Sequence, residues 1–470
     1  PYDGLDRPTV RRYSDGTPAV TFGYDTPGNK GRLTSVSSSV SATSYDYDAL
    51  GRIKESTQTI GGQTYTFSYE YDRAGQMTKQ IYPSGTAVPA SGKTVDFGYD
   101  QAGRLNAITG YASQMAYSPH GALNQVQLAS GLWENARYNC RLQPMMIGLG
   151  ATPNSTPPQP SDSSSLKLEF NYRSDKQDCT GTSNDNNGNV RFQNITVPDL
   201  LIPGLAQSFT YDGFSRLKTA GETGNGAWSQ TYEYDQYGNR WLNIAASYGI
   251  SISGHTPTGS NWYDAATNRM AVFTGFQYDP GGRGNQTQDP SLRTFAYDAE
   301  NRMISDSITI SGTTYTNQYH YDGDGRRVKK VVGSNTTVYV YNAMGQLAAE
   351  YESPRQATNG GRRYLTADHL GSTRLITDEV GAERSRHDYL PFGEDLPVGV
   401  GGRQGSGYGD TAGVNQQFTG KERDAESGLD YFLARYFSGT QGRFLSVDSA
   451  GPDFSNPQTF NKYTYVNNNP

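Results

Sequence analysis

No run of about 18 apolar residues occurs in the 470-residue chain, so the sequence expects nothing that spans a membrane. Cysteine is nearly absent, with only Cys140 and Cys179. Hydrophobic residues make up 34 %, against about 45–50 % in ordinary globular domains by a convention that also counts glycine. That is too little for a thick aliphatic core. Charge of either sign is not in excess: 40 Lys and Arg stand interspersed with 46 Asp and Glu, for a net charge of −6. Nucleic acid is therefore not the expected partner, because such domains carry a basic face. No grouping of nucleophile, base and orienting residue is visible, which argues against an independent hydrolase of small substrates. No cofactor motif or metal-ligand set is visible either.

What the chain does have is 35 tyrosines and 55 glycines. A disordered chain would be poor in aromatics, so this one folds. The pattern is clearest from Tyr65 to Ile81. Tyr65, Phe67, Tyr69 and Tyr71 alternate, which puts four rings on one face of a strand. Asp72 opens a turn in which Gly75 can adopt the left-handed conformation. Met77, Lys79 and Ile81 then alternate again, giving one β-hairpin.

The cassette Tyr-Asp-x-x-Gly-Arg recurs along the chain, with turn aspartates that include Asp48, Asp72, Asp100, Asp235 and Asp322. The first four copies, at Tyr2, Tyr24, Tyr47 and Tyr71, lie 22, 23 and 24 residues apart. Degraded copies occur at Tyr117, Tyr138-Asn139 and Asn184-Asp185. A period of this size signals a repeat architecture. Amphipathic rings and tight turns suit one sheet wound into a spiral with water near both faces. The residue after the turn glycine is often Arg or Asn (Arg52, Arg104, Asn239, Arg326). Such an Arg is expected either to fork onto the Asp of an adjacent turn, building a ladder of ion pairs, or to stay solvated.

Gly148 to Ser165 is rich in Pro, Ser and Thr and reads as a surface loop or insertion; the irregular region extends to about residue 180. Asp178, Asp185, Asn186 and Asn187 crowd together there, but their spacing departs from a calcium loop, and Asn-Asp-Asn-Asn-Gly-Asn is the same turn with Asn-Gly chemistry. Cys140 and Cys179 flank this stretch. They are either two unpaired side chains or a disulfide between neighbouring turns, the latter requiring an oxidising compartment.

After Glu350 the texture changes. Asp368-His369-Leu370-Gly371-Ser372-Thr373-Arg374 is followed by Tyr389-Leu390-Pro391-Phe392-Gly393-Glu394 and then by Lys421-Glu422-Arg423-Asp424. Gly428 to Phe437, including Arg435, leads to Gly442-Arg443-Phe444-Leu445-Ser446-Val447-Asp448, and the chain closes on Asn467-Asn468-Asn469-Pro470. This order of motifs after a run of Tyr-Asp repeats resembles the Rhs/YD-repeat family and its Rhs-associated core domain. The division implied is a repeat region at 1–350 and a C-terminally incomplete core at 351–470. The fold implied is all-β: stacked hairpin repeats forming a hollow shell or barrel, closed by a C-terminal plug. The resemblance further implies a structural shell of a secreted or cell-surface bacterial protein enclosing a C-terminal toxin or other cargo. Surface glycans and self-association through strand edges are the alternative partners.

In such proteins the cargo is released by self-cleavage attributed to aspartates near the end of the core, where two carboxylates can share a proton. Asp448, with Arg443 nearby, is the candidate carried over, and a turn-capping role is the other reading of Asp448. Two departures stand out: Asp448 is followed by Ser449 where relatives commonly have Pro, and the Asp-Pro-x-Gly-Leu motif expected beyond Pro470 lies outside this sequence. Pro1 falls inside a cassette, so residues upstream are expected too, and the lack of a leader says nothing about export. His369 has no nucleophile pattern around it and reads as a buried, hydrogen-bonded core histidine.

Overall fold

A computed structural model describes the whole chain except residues 85–91, 157, 177–182, 199–203, 225, 355–360, 405–406 and 411. Among the described residues there is no α-helix; the elements are β-strands and short 3₁₀ turns. The chain forms two compact units that interleave in sequence. One comprises residues 1–110, 292–358 and 433–435, and the other 111–291, 359–432 and 436–470. The change of texture at residue 350 marks a change of sheet, since one strand ends at Ser353 and the next begins at Arg363. A boundary between the units falls close by, after residue 358.

In the first unit consecutive strands from Val10–Arg11 to Leu105–Ile108 pair antiparallel, each with the next. A second run extends from Thr294–Tyr297 to Leu347–Ser353. The hairpin read from Tyr65 to Ile81 is present: Gln63–Tyr71 pairs with Met77–Ile81, and Gly75 has φ +87°. Its alternate rings do share a face. Phe67 and Tyr69 are buried with Ile60, Val328, Tyr339 and Val340, and Tyr65 and Tyr71 pack at the margin of that cluster.

The second unit holds the antiparallel run from Ala112–Tyr117 to Arg240–Leu242, a three-stranded sheet over 363–386 and a four-stranded sheet over 422–444. Its largest aromatic cluster joins Trp228 and Tyr232 of the repeats to Phe392, Phe418, Phe437, Phe444 and Tyr465 of the C-terminal motifs. The stretch from Gly148 is not a plain surface loop. Pro144–Gly150 is a strand, and the residues that follow fold over the buried Asp162. That carboxylate accepts from Ser155 N (3.1 Å), Gln159 N (3.1 Å), Thr152 Oγ1 (3.0 Å) and Arg137 Nη2 (2.8 Å). Ser155 Oγ donates to it as well (2.7 Å), and this one buried charge organises a sequence that lacks strand periodicity.

The cassette turn explains the need for Asp. Asp48 N donates to Arg52 O and Gly51 N to Asp48 O, while Asp48 Oδ1 accepts from both Leu50 N and Arg52 N at 2.9 Å. A single side-chain oxygen thus satisfies two turn amides that have no strand partner. Asn139 and Asn342 do the same with an amide oxygen, so the degraded copy at Tyr138-Asn139 keeps the geometry. Where Asp pairs with Arg four residues on, these Asn residues donate to Gln143 and Gln346.

The expected ladder between turns takes another form. Arg52, Arg216, Arg302 and Arg326 each pair with the Asp of their own turn, because a five-residue turn brings positions one and five together. Arg7 does bridge the aspartates of two turns, Asp3 and Asp25, and Arg52 and Arg216 donate to the carbonyls of Asp72 (2.8 Å) and Asp235 (3.3 Å) in the next turn. A further link to the following repeat is through its tyrosine. The guanidinium carbon lies 4.7 Å from the Tyr71 ring centre for Arg52, 4.5 Å from Tyr234 for Arg216 and 5.0 Å from Tyr321 for Arg302. Each of these tyrosines donates its hydroxyl to the carbonyl just after that Arg: Tyr71 to Ile53, Tyr234 to Leu217 and Tyr321 to Met303.

Candidate functional site

Two more turns of this kind open the C-terminal motifs. Asp368 Oδ1 accepts from Leu370 N and Ser372 N at 3.0 Å, and Asp378 Oδ1 from Val380 N and Ala382 N. Gly371, at φ +83°, completes the first. The Asp368 carboxylate also begins a buried chain of charges. Arg374 Nη1 reaches Asp368 Oδ2 (3.3 Å) and its Nη2 pairs with Asp388. Asp388 Oδ2 accepts from Arg403 Nε (2.7 Å) and Tyr408 (3.0 Å). Arg403 then grips Glu222 through both terminal nitrogens at 2.7 Å. Burial pushes the Asp388 carboxyl up, but Arg374 and Arg403 outweigh it and hold it at about 2.

A second charged centre is built by two paired strands, Glu422–Asp424 and Leu429–Tyr431, which set Arg423 directly opposite Asp430. Arg423 donates to both Asp430 oxygens at 2.9 Å, to Asp395 Oδ2 at 2.7 Å and to Gly393 O at 2.7 Å. Asp430 is 1 % exposed. Burial raises its carboxyl to about 6 against the pull of Arg423, with Asp395 and Asp424 adding to the rise. Burial likewise raises Glu394. A carboxyl titrating near neutral pH in such a setting is suited to take and return a proton. Asp424 is fully buried but lies opposite Leu429, on the other face of the strand pair from Asp430.

The residues carried over from the sequence fall elsewhere. Asp448 caps a turn: its Oδ1 accepts from Ala450 N (2.9 Å) and its N donates to Lys462 O (2.9 Å). Arg443 lies over the rings of Tyr463 (4.4 Å) and Tyr263 (5.3 Å) and donates to Asn268 O. It takes no carboxylate partner among the described residues. Arg435 is half-buried just before the strand Tyr436–Ser438. Gly393 and Gly442 are packing positions, where an added Cβ would meet the Phe418 ring at 2.6 Å and Arg240 Nη2 at 2.1 Å. His369 is half-buried, not sealed in a core. It packs on Phe170 with ring centres 4.3 Å apart, and its Nδ1 has no hydrogen-bond partner. Burial lowers its pKa, which keeps the imidazole neutral. Asp368, His369, Arg374, Pro391 and Pro470, scattered over a hundred residues of sequence, line one cavity of about 400 Å³. Cys140 is disulfide-bonded; Cys179 lies outside the described residues, as does Asp178. Asp185 and Asn186 bond to Ser174, Ser183 and Gln143 in the manner of a turn, and no metal-ligand group occurs among the described residues.

The RHS Repeat family profile matches residues 47–87, the segment that contains the hairpin described above. Across 99 % of its length the chain also superposes on the TcdB2-TccC3-Cdc42 crystal structure, with TM-score 0.69 and 18 % identity, covering 27 % of that chain. The chain carries an RHS repeat and resembles the Rhs/YD-repeat family. A second solved structure, the Photorhabdus luminescens Tc holotoxin pore, matches over the same share of the chain with TM-score 0.68 and 18 % identity, covering 26 % of that chain. Among curated proteins, the toxin subunit YenC1 of Yersinia entomophaga is 25 % identical over 54 % of this chain and 30 % of its own length. The double-stranded DNA deaminase toxin A of Burkholderia cenocepacia is 23 % identical over 94 % of this chain and 34 % of its own. The tRNA3(Ser)-specific nuclease WapA of Bacillus spizizenii is 24 % identical over 57 % of this chain and 10 % of its own. The chain thus spans about a third or less of each of these proteins. No helix among its described residues is long and apolar enough to cross a membrane.

Proposed function

We propose that this chain is a structural wall segment of a larger secreted toxin-type protein, made to enclose a cargo encoded C-terminal to it. The observation that carries this reading is the near-complete superposition, 99 % of the chain, on a toxin-complex chain of which it covers 27 %. The disulfide at Cys140 supports an oxidising compartment and hence export. Repeats locked by turn carboxylates and ring faces, with cores of stacked aromatics, suit a rigid wall better than a surface that must open and close with each turnover.

The one chemical act we attach to the chain is a single self-cleavage. The residue favoured for it is Asp430, whose raised carboxyl and Arg423 bridge to Asp395 give a proton carrier. The experiment is to extend the chain through its natural downstream residues and follow it on a denaturing gel, then to digest the native product with a general protease. A fragment of cargo size that survives digestion until the wall is unfolded supports enclosure; immediate digestion overturns it. Cleavage that persists in Asp448→Asn and stops in Asp430→Asn assigns the proton carrier. If Asp424→Asn alone stops it, the chemistry lies on the other face of the strand pair.

A further inference from the structure

Arg374, Arg403 and Arg423 are buried in the second unit, and each holds two carboxylates. Arg240 and Arg443 hold none. They are 6 % and 4 % exposed, and neither forms an ion pair among the described residues. Arg240 opens the strand Arg240–Leu242, and Arg443 opens Arg443–Phe444, which bridges to Thr464. Both arginines line one small cavity, together with Tyr263, Gln441, Asn461 and Thr464. Hydrogen bonds fasten its walls: Asn461 Nδ2 donates to Asn239 Oδ1 (2.7 Å) and Asn468 Nδ2 to Gly238 O (2.8 Å). Among the described residues no Asp or Glu lines it.

The surroundings supply attraction but no counter-charge. Arg240 lies 4.0 Å from the Phe392 ring centre and 5.0 Å from that of Tyr232, and Arg443 lies against Tyr463 and Tyr263. Ring faces attract a cation without carrying net charge. Burial pushes the Tyr263 and Tyr463 hydroxyls up to about 12, so neither is a phenolate at neutral pH. Glu394 feels Arg240, but it forms no ion pair with it and burial pushes its carboxyl towards the neutral form. The Nε of each arginine, and Nη2 of Arg240, are closed off without a partner. The Nη1 of each donates to no described residue and is not closed off. Two buried positive charges without a negative one are costly. The cavity measures about 10 Å³, about the room that one water takes. That excludes carboxylates, phosphates and any organic guest. A water fits but leaves both charges uncompensated, whereas a monatomic anion only slightly larger than water neutralises one of them.

We propose that this cavity holds one chloride ion between the Arg240 and Arg443 guanidinium groups, with hydrogen bonds from their Nη1 atoms. The wall reading makes no use of the site, so the two stand or fall separately. The 470-residue chain is exchanged into sodium methanesulfonate, whose anion is too large for the cavity. Sodium chloride or sodium bromide then replaces that salt at constant ionic strength while the melting temperature is followed. Either halide should raise it saturably, by about 2–3 °C at a hundredfold excess over Kd. Arg240→Met and Arg443→Met should each weaken the halide's Kd by about tenfold or more. Arg216→Met, which removes an arginine already paired with Asp212, should leave it unchanged. In crystals grown with bromide, an anomalous peak should lie between the two guanidinium groups. Melting temperatures equal in all three salts overturn the proposal and leave a water in the cavity. A halide dependence unchanged in both cavity variants also overturns it, because the ion then sits elsewhere. If neither variant folds, the bromide crystal decides alone: a peak between the arginines upholds the site, and no peak there overturns it.

Discussion

The Arg52 guanidinium lies 4.7 Å from the centre of the Tyr71 ring, and the Tyr71 hydroxyl donates to Ile53, the residue next to that arginine. Ring and turn therefore hold each other at two points. The same clasp joins Arg216 to Tyr234, where the arginine is only 11 % exposed.

Arg216→Met should remove the ring contact and the pairing with Asp212 together, destabilising the chain by about 1–2 kcal/mol. Tyr234→Phe removes only the hydroxyl and should cost about 1 kcal/mol. The urea midpoints of the two variants measure this. Equal effects would mean that the hydroxyl, not the ring face, carries the clasp.

The buried chain from Asp368 to Glu222 makes Arg403 costly to remove. Arg403→Met leaves Glu222 and Asp388 without their shared partner and should destabilise by about 3–5 kcal/mol. Adding Glu222→Gln should recover part of the loss. A double variant no better than the single would show that the charges act independently.

Acid should act through the same network. Asp388 titrates at about 2 in the folded chain, below the roughly 3.9 of an unfolded aspartate. Its contribution is therefore complete above about pH 4 and is lost as the pH falls towards about 2. Asp388→Asn should flatten the acid limb of a plot of melting temperature against pH. A limb as steep as in the parent would place the acid sensitivity elsewhere.

Asp430 should have the opposite sign. Its folded value of about 6 exceeds the unfolded value of about 3.9, so the protonated form favours folding. Its contribution is complete below about pH 4 and disappears as the pH rises through about 6. Asp430→Asn should abolish that part of the slope between pH 4 and 6, as read by thermal melts across the range. A slope left intact would mean that Arg423 keeps Asp430 ionised throughout.

Gly442→Ala should be far more damaging than Gly188→Ala. Both glycines have positive φ, +66° and +97°, but only at Gly442 would the new methyl meet Arg240, at 2.1 Å, with nothing within 4 Å at Gly188. The difference in melting temperature between the two variants isolates the packing of Arg240 on Phe392 from backbone strain.

The strands and their turns were legible because both are local. Tyrosines two apart fix a face, and Asp72 and Gly75 sit within one turn. The fate of the arginines was not legible: Arg52 could be placed beside an aspartate by sequence, but choosing between its own and the next turn required the turn's length in space. The charged centre escaped for a related reason. Arg423 and Asp430 are seven residues apart and meet only because Glu422–Asp424 pairs with Leu429–Tyr431, strands too short to show a period. Asp448 drew attention through its place in a motif, and the structure shows it capping a turn; the burial of Asp430 left no mark in the sequence. His369 was misjudged because the cavity beside it is assembled from Tyr172, Trp228 and Pro470, none of them near it in sequence.

The clasp between turn and tyrosine gives the array a unit of length. Deleting part of a cassette leaves one arginine without its ring and one hydroxyl without its carbonyl. Deleting or inserting a whole cassette restores both, since the next tyrosine arrives at the same turn. Chains of this design can therefore be lengthened or shortened by whole repeats with the local contacts conserved.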